Sequence, residues 1–291
     1  MALSQQVKAY ASLVKFGHTI FALPFALCGF FYAIATQQYT FKPLTFVLVV
    51  LCMVTARNAA MAFNRFLDAR FDALNARTAV REIPAGVIKP QQALVFVIIN
   101  CIIFCASAFA INKLCFMLSP IALFVVLFYS FTKRFTSLCH LVLGLGLALA
   151  PVGAYLSMSE SFNSIVPILL GFAVMTWVSG FDIIYALQDE EFDRTQDLHS
   201  IPVLMGKKGA LIFSTVLHII TALLVGYIGF VGEFSVLYWV GAAAFVGLLI
   251  YQHSIVSATN LSKVNIAFFT ANGIGSVVFM LCFIASLFLL K

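Results

Sequence analysis

Asn64-Arg65-Phe66-Leu67-Asp68-Ala69-Arg70-Phe71-Asp72 closes a long apolar run with an abrupt change to polar residues. Later in the chain, Asp182-Ile183-Ile184-Tyr185-Ala186-Leu187-Gln188-Asp189-Glu190-Glu191-Phe192-Asp193 repeats the device, again at the end of an apolar run. Residues four apart on an α-helix are offset by roughly 40°, so Asp68 and Asp72 would share one face and Asp189 and Asp193 another. Two acidic stripes facing each other would form a cage for a divalent metal.

The runs that lead into these stripes decide the environment. Of 291 residues, 63% are hydrophobic and only 10% charged, and mean hydropathy is +1.05. Such a composition belongs to an integral membrane protein rather than a soluble domain. A spanning helix needs about 20 apolar residues, and nine are expected, at roughly 16–36, 44–66, 91–111, 115–131, 138–157, 165–187, 209–230, 236–252 and 264–290. The joints are short, so residues 1–291 read as one all-α membrane bundle. The first run, with Pro24 inside it and Ala33-Ile34-Ala35 near its end, reads as a retained helix rather than a cleaved signal.

Basic residues orient the bundle. Thirteen, including Lys8, Lys15, Arg65, Arg81, Lys133, Arg134 and Lys263, fall at the amino terminus or in alternate loops, whereas Lys42, Lys113 and Lys291 fall opposite. Positive residues stay inside, so both acidic stripes should open to the cytoplasm. Topology alone accounts for most of the net charge of +6, and no nucleic-acid partner is implied. The seven cysteines lack metal-ligand spacing and read as small core residues.

Each stripe is followed by a loop with Ile-Pro and then a glycine, Ile83-Pro84 with Gly86 and Ile201-Pro202 with Gly206. The halves thus carry an internal pseudo-repeat, and inter-repeat interfaces are where membrane proteins commonly build sites. Arg57 lies within a membrane helix, where a guanidinium usually marks a pathway or site. Lys15 and His18 either snorkel at the interface or form a polar lip on a pocket. Lys133 and Arg134 either follow the positive-inside rule or meet an anionic ligand. His218 and His253 read as structural, and Asn272 as a helix contact.

Carboxylates at the mouth of an apolar bundle suit Mg²⁺, which binds through a few carboxylates together with substrate phosphates. Neighbouring Lys and Arg suit diphosphate oxygens. Aromatic side chains lining a cavity would steady an allylic cation. The site therefore suits a lipid diphosphate, with its head on metal and its tail in the membrane. Intramembrane carboxylates also occur in cation- or proton-coupled transporters, but here the acids lie at one face rather than at the midplane.

Asn64-x3-Asp68-x3-Asp72 with Tyr185-x3-Asp189-x3-Asp193 resembles the UbiA superfamily of intramembrane aromatic prenyltransferases over nearly the whole chain. Residues 57–65 and 185–193 more narrowly resemble its 4-hydroxybenzoate polyprenyltransferase-like branch, some members of which prenylate a dihydroxynaphthoate in menaquinone synthesis. The resemblance implies Mg²⁺ held by Asn64, Asp68, Asp72, Asp189 and Asp193. It also implies a polyprenyl diphosphate donor and an aromatic carboxylate acceptor. The compact, prokaryote-like chain is expected in the cytoplasmic (inner) membrane, with no obligate protein partner evident. Asp68 and Asp189 would be catalytic, Asp189 activating the acceptor phenol. Asp182, two turns earlier on nearly the same face, is a third catalytic candidate and would orient the acceptor or Tyr185. Arg134 with Lys133 matches the family's basic loop. Many members carry Asp where this chain has Arg65, which leaves that guanidinium available to phosphate.

Overall fold

The computed structural model describes residues 3–15, 17 and 21–289. Among them the chain is helical, with one isolated β-bridge between Ser257 and Asn260 and no strand. In order come α1 (Leu3–Leu13), α2 (Leu23–Gln37), α3 (Pro43–Leu67), α4 (Ala69–Leu74), α5 (Pro90–Ile111), α6 (Lys113–Thr132) and α7 (Cys139–Ser159). Then follow α8 (Val166–Ala186), a 3-10 turn (Leu187–Asp189), α9 (Glu190–Thr195), α10 (Ile201–Val231), α11 (Val236–Ile255), a π-helical turn (Ile266–Ala271) and α12 (Asn272–Phe288).

Eight of these helical units are long and apolar enough to cross a membrane. The expected first span differs. The described helix there, α2, has only 15 residues and starts at Leu23, with Pro24 in its first turn, where a missing N–H costs no hydrogen bond. One further boundary moves. The seventh span begins at Ile201 rather than 209, because Ser200 caps it by accepting from the Val203 amide, and it kinks at Gly206 with φ 68°. Before the first span, α1 is an element that apolar run length does not predict. It lies on α3, and its Tyr10 ring meets Phe96 of α5 in a tilted contact with centroids 5.0 Å apart.

α8 is the most buried of the long helices and sits between α7 and α10, while α3 packs on α5, α2 on α7, and α11 on α12. Small residues permit these approaches. A Cβ on Gly29 of α2 would lie 2.0 Å from the Pro151 carbonyl oxygen of α7, and one on Gly144 of α7 would lie 2.3 Å from that of Met175 in α8. A polar chain ties the other side of α8. Trp177 donates to Asn272 at 2.7 Å, Asn272 donates to Gln252 at 3.2 Å, and His218 meets His253 at 2.7 Å and the Trp177 carbonyl at 3.1 Å. His218, His253 and Asn272 are thus structural, as their sequence context suggests.

The two acidic motifs share a backbone device. α3 ends at Leu67, Asp68 leaves helical geometry with φ −88° and ψ 3°, and the six-residue α4 restarts. α8 ends at Ala186, the chain tightens to 3-10, Asp189 has φ −104° and ψ 0°, and the six-residue α9 restarts. Each pair therefore straddles a break. The i→i−4 bonds from Asp68 N to Asn64 O and from Asp72 N to Asp68 O nevertheless carry the first motif across its break.

Candidate active site

The four carboxylates of the two motifs meet basic side chains from neighbouring loops. Asp68 accepts from Arg134 at 2.9 Å and from Asn64 at 3.0 Å. Asp72, almost fully buried, pairs with Arg81 at 2.6 Å. Asp189 receives a fork from Arg77, at 2.6 Å to Oδ2 and 3.2 Å to Oδ1, and Asp193 meets Lys133 at 2.7 Å. The consecutive residues Lys133 and Arg134 thus grip one acid of each motif. Arg77 reaches from the loop after the first motif to the second, and its Nη1 donates to the Tyr185 hydroxyl at 3.0 Å.

Burial and pairing oppose each other here. Burial raises the Asp68 carboxyl above the ordinary carboxylate range against the pull of Arg134. Burial would lower Lys133, but the Asp193 charge outweighs it and the ammonium is held more firmly. Arg77 behaves likewise, desolvation being overcome by its hydrogen bonds to Asp189.

Behind these pairs lies a cavity of about 610 Å³. Lys15, Arg57, Asn64, Arg65, Arg77 and Arg81 line one end, and Val49, Ile111, Cys115 and Leu156 the other. From Arg65 to Val49 is 16 residues of one helix, about 24 Å at 1.5 Å per residue. Between the ends Asp182, Tyr185, Phe21, Phe181 and Phe268 share the wall. Their rings form a connected set, with centroids 4.3 Å apart for Tyr185 and Phe268, 5.3 Å for Phe181 and Phe268, and 5.2 Å for Phe21 and Phe181. The π-helical turn supplies Phe268, and such turns commonly mark functional positions.

Several expected residues are placed by this geometry. Arg57 donates to the carbonyls of Val14 at 3.0 Å and Lys15 at 2.9 Å, so it caps the chain leaving α1 as well as facing the cavity. Arg65 is 5% exposed and its Nη1 has no hydrogen-bond partner. His18 lies outside the described residues. Asp68, Asp72, Asp189, Asp193, Lys133 and Arg134 stand outside the cavity wall. Arg77 belongs to the site although the acidic spacing alone does not select it; its place in the loop five residues after Asp72 is the available signal.

Oxygen donors from Asn64 and four carboxylates match the preference of Mg²⁺, and the buried Asp72 Oδ2 has no hydrogen-bond partner. Among the described residues, however, no three His, Cys, Asp or Glu side chains converge on one point. Each of the four acids is held by a base.

An apolar tunnel roofed by arginines, within a helical membrane bundle, defines a protein that handles an amphiphile with an anionic head. Residues 22–274 match the model of the UbiA prenyltransferase family. A 4-hydroxybenzoate octaprenyltransferase of Methylococcus capsulatus is 30% identical over 235 residues, covering 80% of this chain and 79% of the relative. One of Tolumonas auensis is 29% identical and covers 77% of each chain. Among solved structures, a UbiA homologue from Aeropyrum pernix K1 superposes with a TM-score of 0.83 at 31% identity, over 91% of this chain and 96% of the other. Another, from Archaeoglobus fulgidus with GPP and Mg²⁺, gives 0.71 at 22% identity, over 96% and 99%, and shares the fold. The chain belongs to the UbiA prenyltransferase family, and it is a prenyltransferase.

Proposed function

We propose that the protein transfers a polyprenyl group from polyprenyl diphosphate to a ring carbon of a hydroxylated aromatic acid of the 4-hydroxybenzoate type, in quinone biosynthesis. The observation that carries this reading is the cavity, with guanidinium groups at one end and an apolar run of about 24 Å beyond them. Residues 1–291 act as one membrane domain in the bacterial inner membrane, the mouth facing the cytoplasm, as the bias of basic residues supports.

Asn64, Asp68, Asp72, Asp189 and Asp193 would hold Mg²⁺, which when bound supplies Lewis-acid neutralisation of the diphosphate leaving group. Arg65, Arg77 and Arg81 bind diphosphate oxygens as charge-assisted donors. Lys133 and Arg134 position the two motifs against each other. The rings of Phe21, Phe181, Phe268 and Tyr185 line the cavity where allylic charge develops, and their faces attract it. The apolar wall excludes water and keeps the allylic cation for the ring carbon.

The test is a membrane assay with Mg²⁺, a labelled polyprenyl diphosphate and, in parallel, 4-hydroxybenzoate or 1,4-dihydroxy-6-naphthoate. Prenylated 4-hydroxybenzoate, absent with EDTA and in Asp68→Ala and Asp189→Ala, is the expected result. A product from the naphthoate alone moves the acceptor to menaquinone synthesis. No product from folded protein, together with solute flux in liposomes, replaces the reading with transport.

A further inference from the structure

Aromatic substitution releases a proton from the ring carbon that is attacked, and an apolar cavity gives it no bulk water to enter. Some group in the wall, near the ring rather than the diphosphate, must receive it. The acids of the two motifs stand outside the wall, each committed to a base. Among the described residues, only Glu82 and Asp182 supply carboxylates to the wall itself. Glu82 belongs to the loop at the mouth, where it accepts from Ser12. Asp182 lies seven residues before Asp189, about 10 Å deeper along the helix.

A carboxylate at that depth is costly unless held, and Asp182 is held on one side only. His140, in the first turn of α7, presents Nδ1 to Asp182 Oδ2 at 2.7 Å. The His140 side chain is 5% exposed and that of Asp182 is 23% exposed. The histidine's backbone is fixed as well, since Ser179 donates to the His140 carbonyl at 3.1 Å. A purely structural pair would bury both partners. Here the imidazole is enclosed, the carboxylate reaches the cavity, and Phe181 and Tyr185 of the aromatic wall lie on the same helix beside it.

We propose, on the basis of the prenyl-transfer reading, that Asp182 is the base that takes the ring proton and that His140 is its positioning residue. The bond between prenyl C1 and the diphosphate oxygen breaks, its electron pair leaving with diphosphate. Ring π electrons form the new carbon–carbon bond to C1. The Asp182 carboxylate accepts the proton from that ring carbon, and the C–H pair restores the aromatic ring. The proton stays on Asp182, beside His140, until product release returns it to solvent.

The experiment uses the purified full chain with Mg²⁺, a labelled polyprenyl diphosphate, and whichever of 4-hydroxybenzoate and 1,4-dihydroxy-6-naphthoate the wild type prenylates. The acceptor is supplied with hydrogen or deuterium at the reacting carbon. Asp182→Asn keeps the shape and a carbonyl acceptor for His140. We expect its kcat to fall about 10²–10⁴-fold, the usual worth of a positioned base, with the deuterium effect on kcat rising by about twofold or more and KM for the diphosphate unchanged. His140→Ala should show a smaller loss and a partial isotope effect, and His140→Asn, which keeps a donor, should recover part of both. Near wild-type kcat in Asp182→Asn, or a loss without any rise in the isotope effect, overturns the assignment and leaves the proton to diphosphate. A wild type that prenylates neither acceptor overturns the underlying reading, and the base with it.

Discussion

Arg77 closes on Asp189 across the two acidic motifs, with Nη2 2.6 Å from Oδ2 and Nε 3.2 Å from Oδ1. The loop after one motif therefore holds the junction residue of the other, and its remaining nitrogen reaches Tyr185. Arg77→Ala should lower kcat/KM about 10- to 100-fold, corresponding to the roughly 1.5–3 kcal/mol of a charged hydrogen bond. A double-mutant cycle with Asp189→Asn should show strong non-additivity, since the two side chains touch. Additive losses would show that the pair does not act as a unit.

Metal removal should stop the reaction without unfolding the protein. Each motif acid already has a basic partner, so the metal-free bundle retains its ion pairs. We expect EDTA to abolish product formation while the thermal melt in detergent stays near that of untreated protein, and Mg²⁺ to restore turnover. A large fall in melting temperature with EDTA would instead make the metal part of the fold.

Gly153 lines the cavity and faces open space, so that a Cβ added there would meet no neighbouring atom within 4 Å. Gly153→Phe should therefore fold, yet fill part of the tail tunnel. Long polyprenyl diphosphates should lose about tenfold or more in kcat/KM, whereas geranyl diphosphate should be used as before. Equal losses for both donors would place the tail elsewhere.

Gly29 behaves in the opposite way, because a Cβ there would lie 2.0 Å from a backbone oxygen of Pro151. Gly29→Ala must push α2 from α7 at a cost of about 1–3 kcal/mol, the usual range for overpacking. A lower thermal midpoint, with the residual folded protein still active, is the expected outcome. An unchanged melt would contradict the close approach.

Apolar run length made most spans legible, since about 20 residues of hydrocarbon-compatible sequence have few other uses. Spacing also selected Asp68, Asp72, Asp189 and Asp193. It did not show that α3 and α8 break at Asp68 and Asp189, because restart and continuation place the same residues four apart. Nor did it show the basic partners. Arg77 and Asp189 are separated by the four helices α5 to α8, and no local pattern announces a pair formed across loops. The same applies to His140 and Asp182, which meet only because Gly144 allows α7 to lie against α8. α1 escaped notice because its apolar positions are too few to register as a span.

The pairing of four acids with four bases has a consequence for the order of ligand capture. A lone cation entering the mouth would strip a carboxylate from its guanidinium or ammonium and strand a positive charge. A lone diphosphate would strand the carboxylates, and an uncompensated charge in a partly buried setting is costly. Only a visitor carrying both signs can exchange partners throughout and leave the local charge balanced. The mouth is in this sense a lock with two simultaneous keys, which admits metal and diphosphate together and holds each poorly alone.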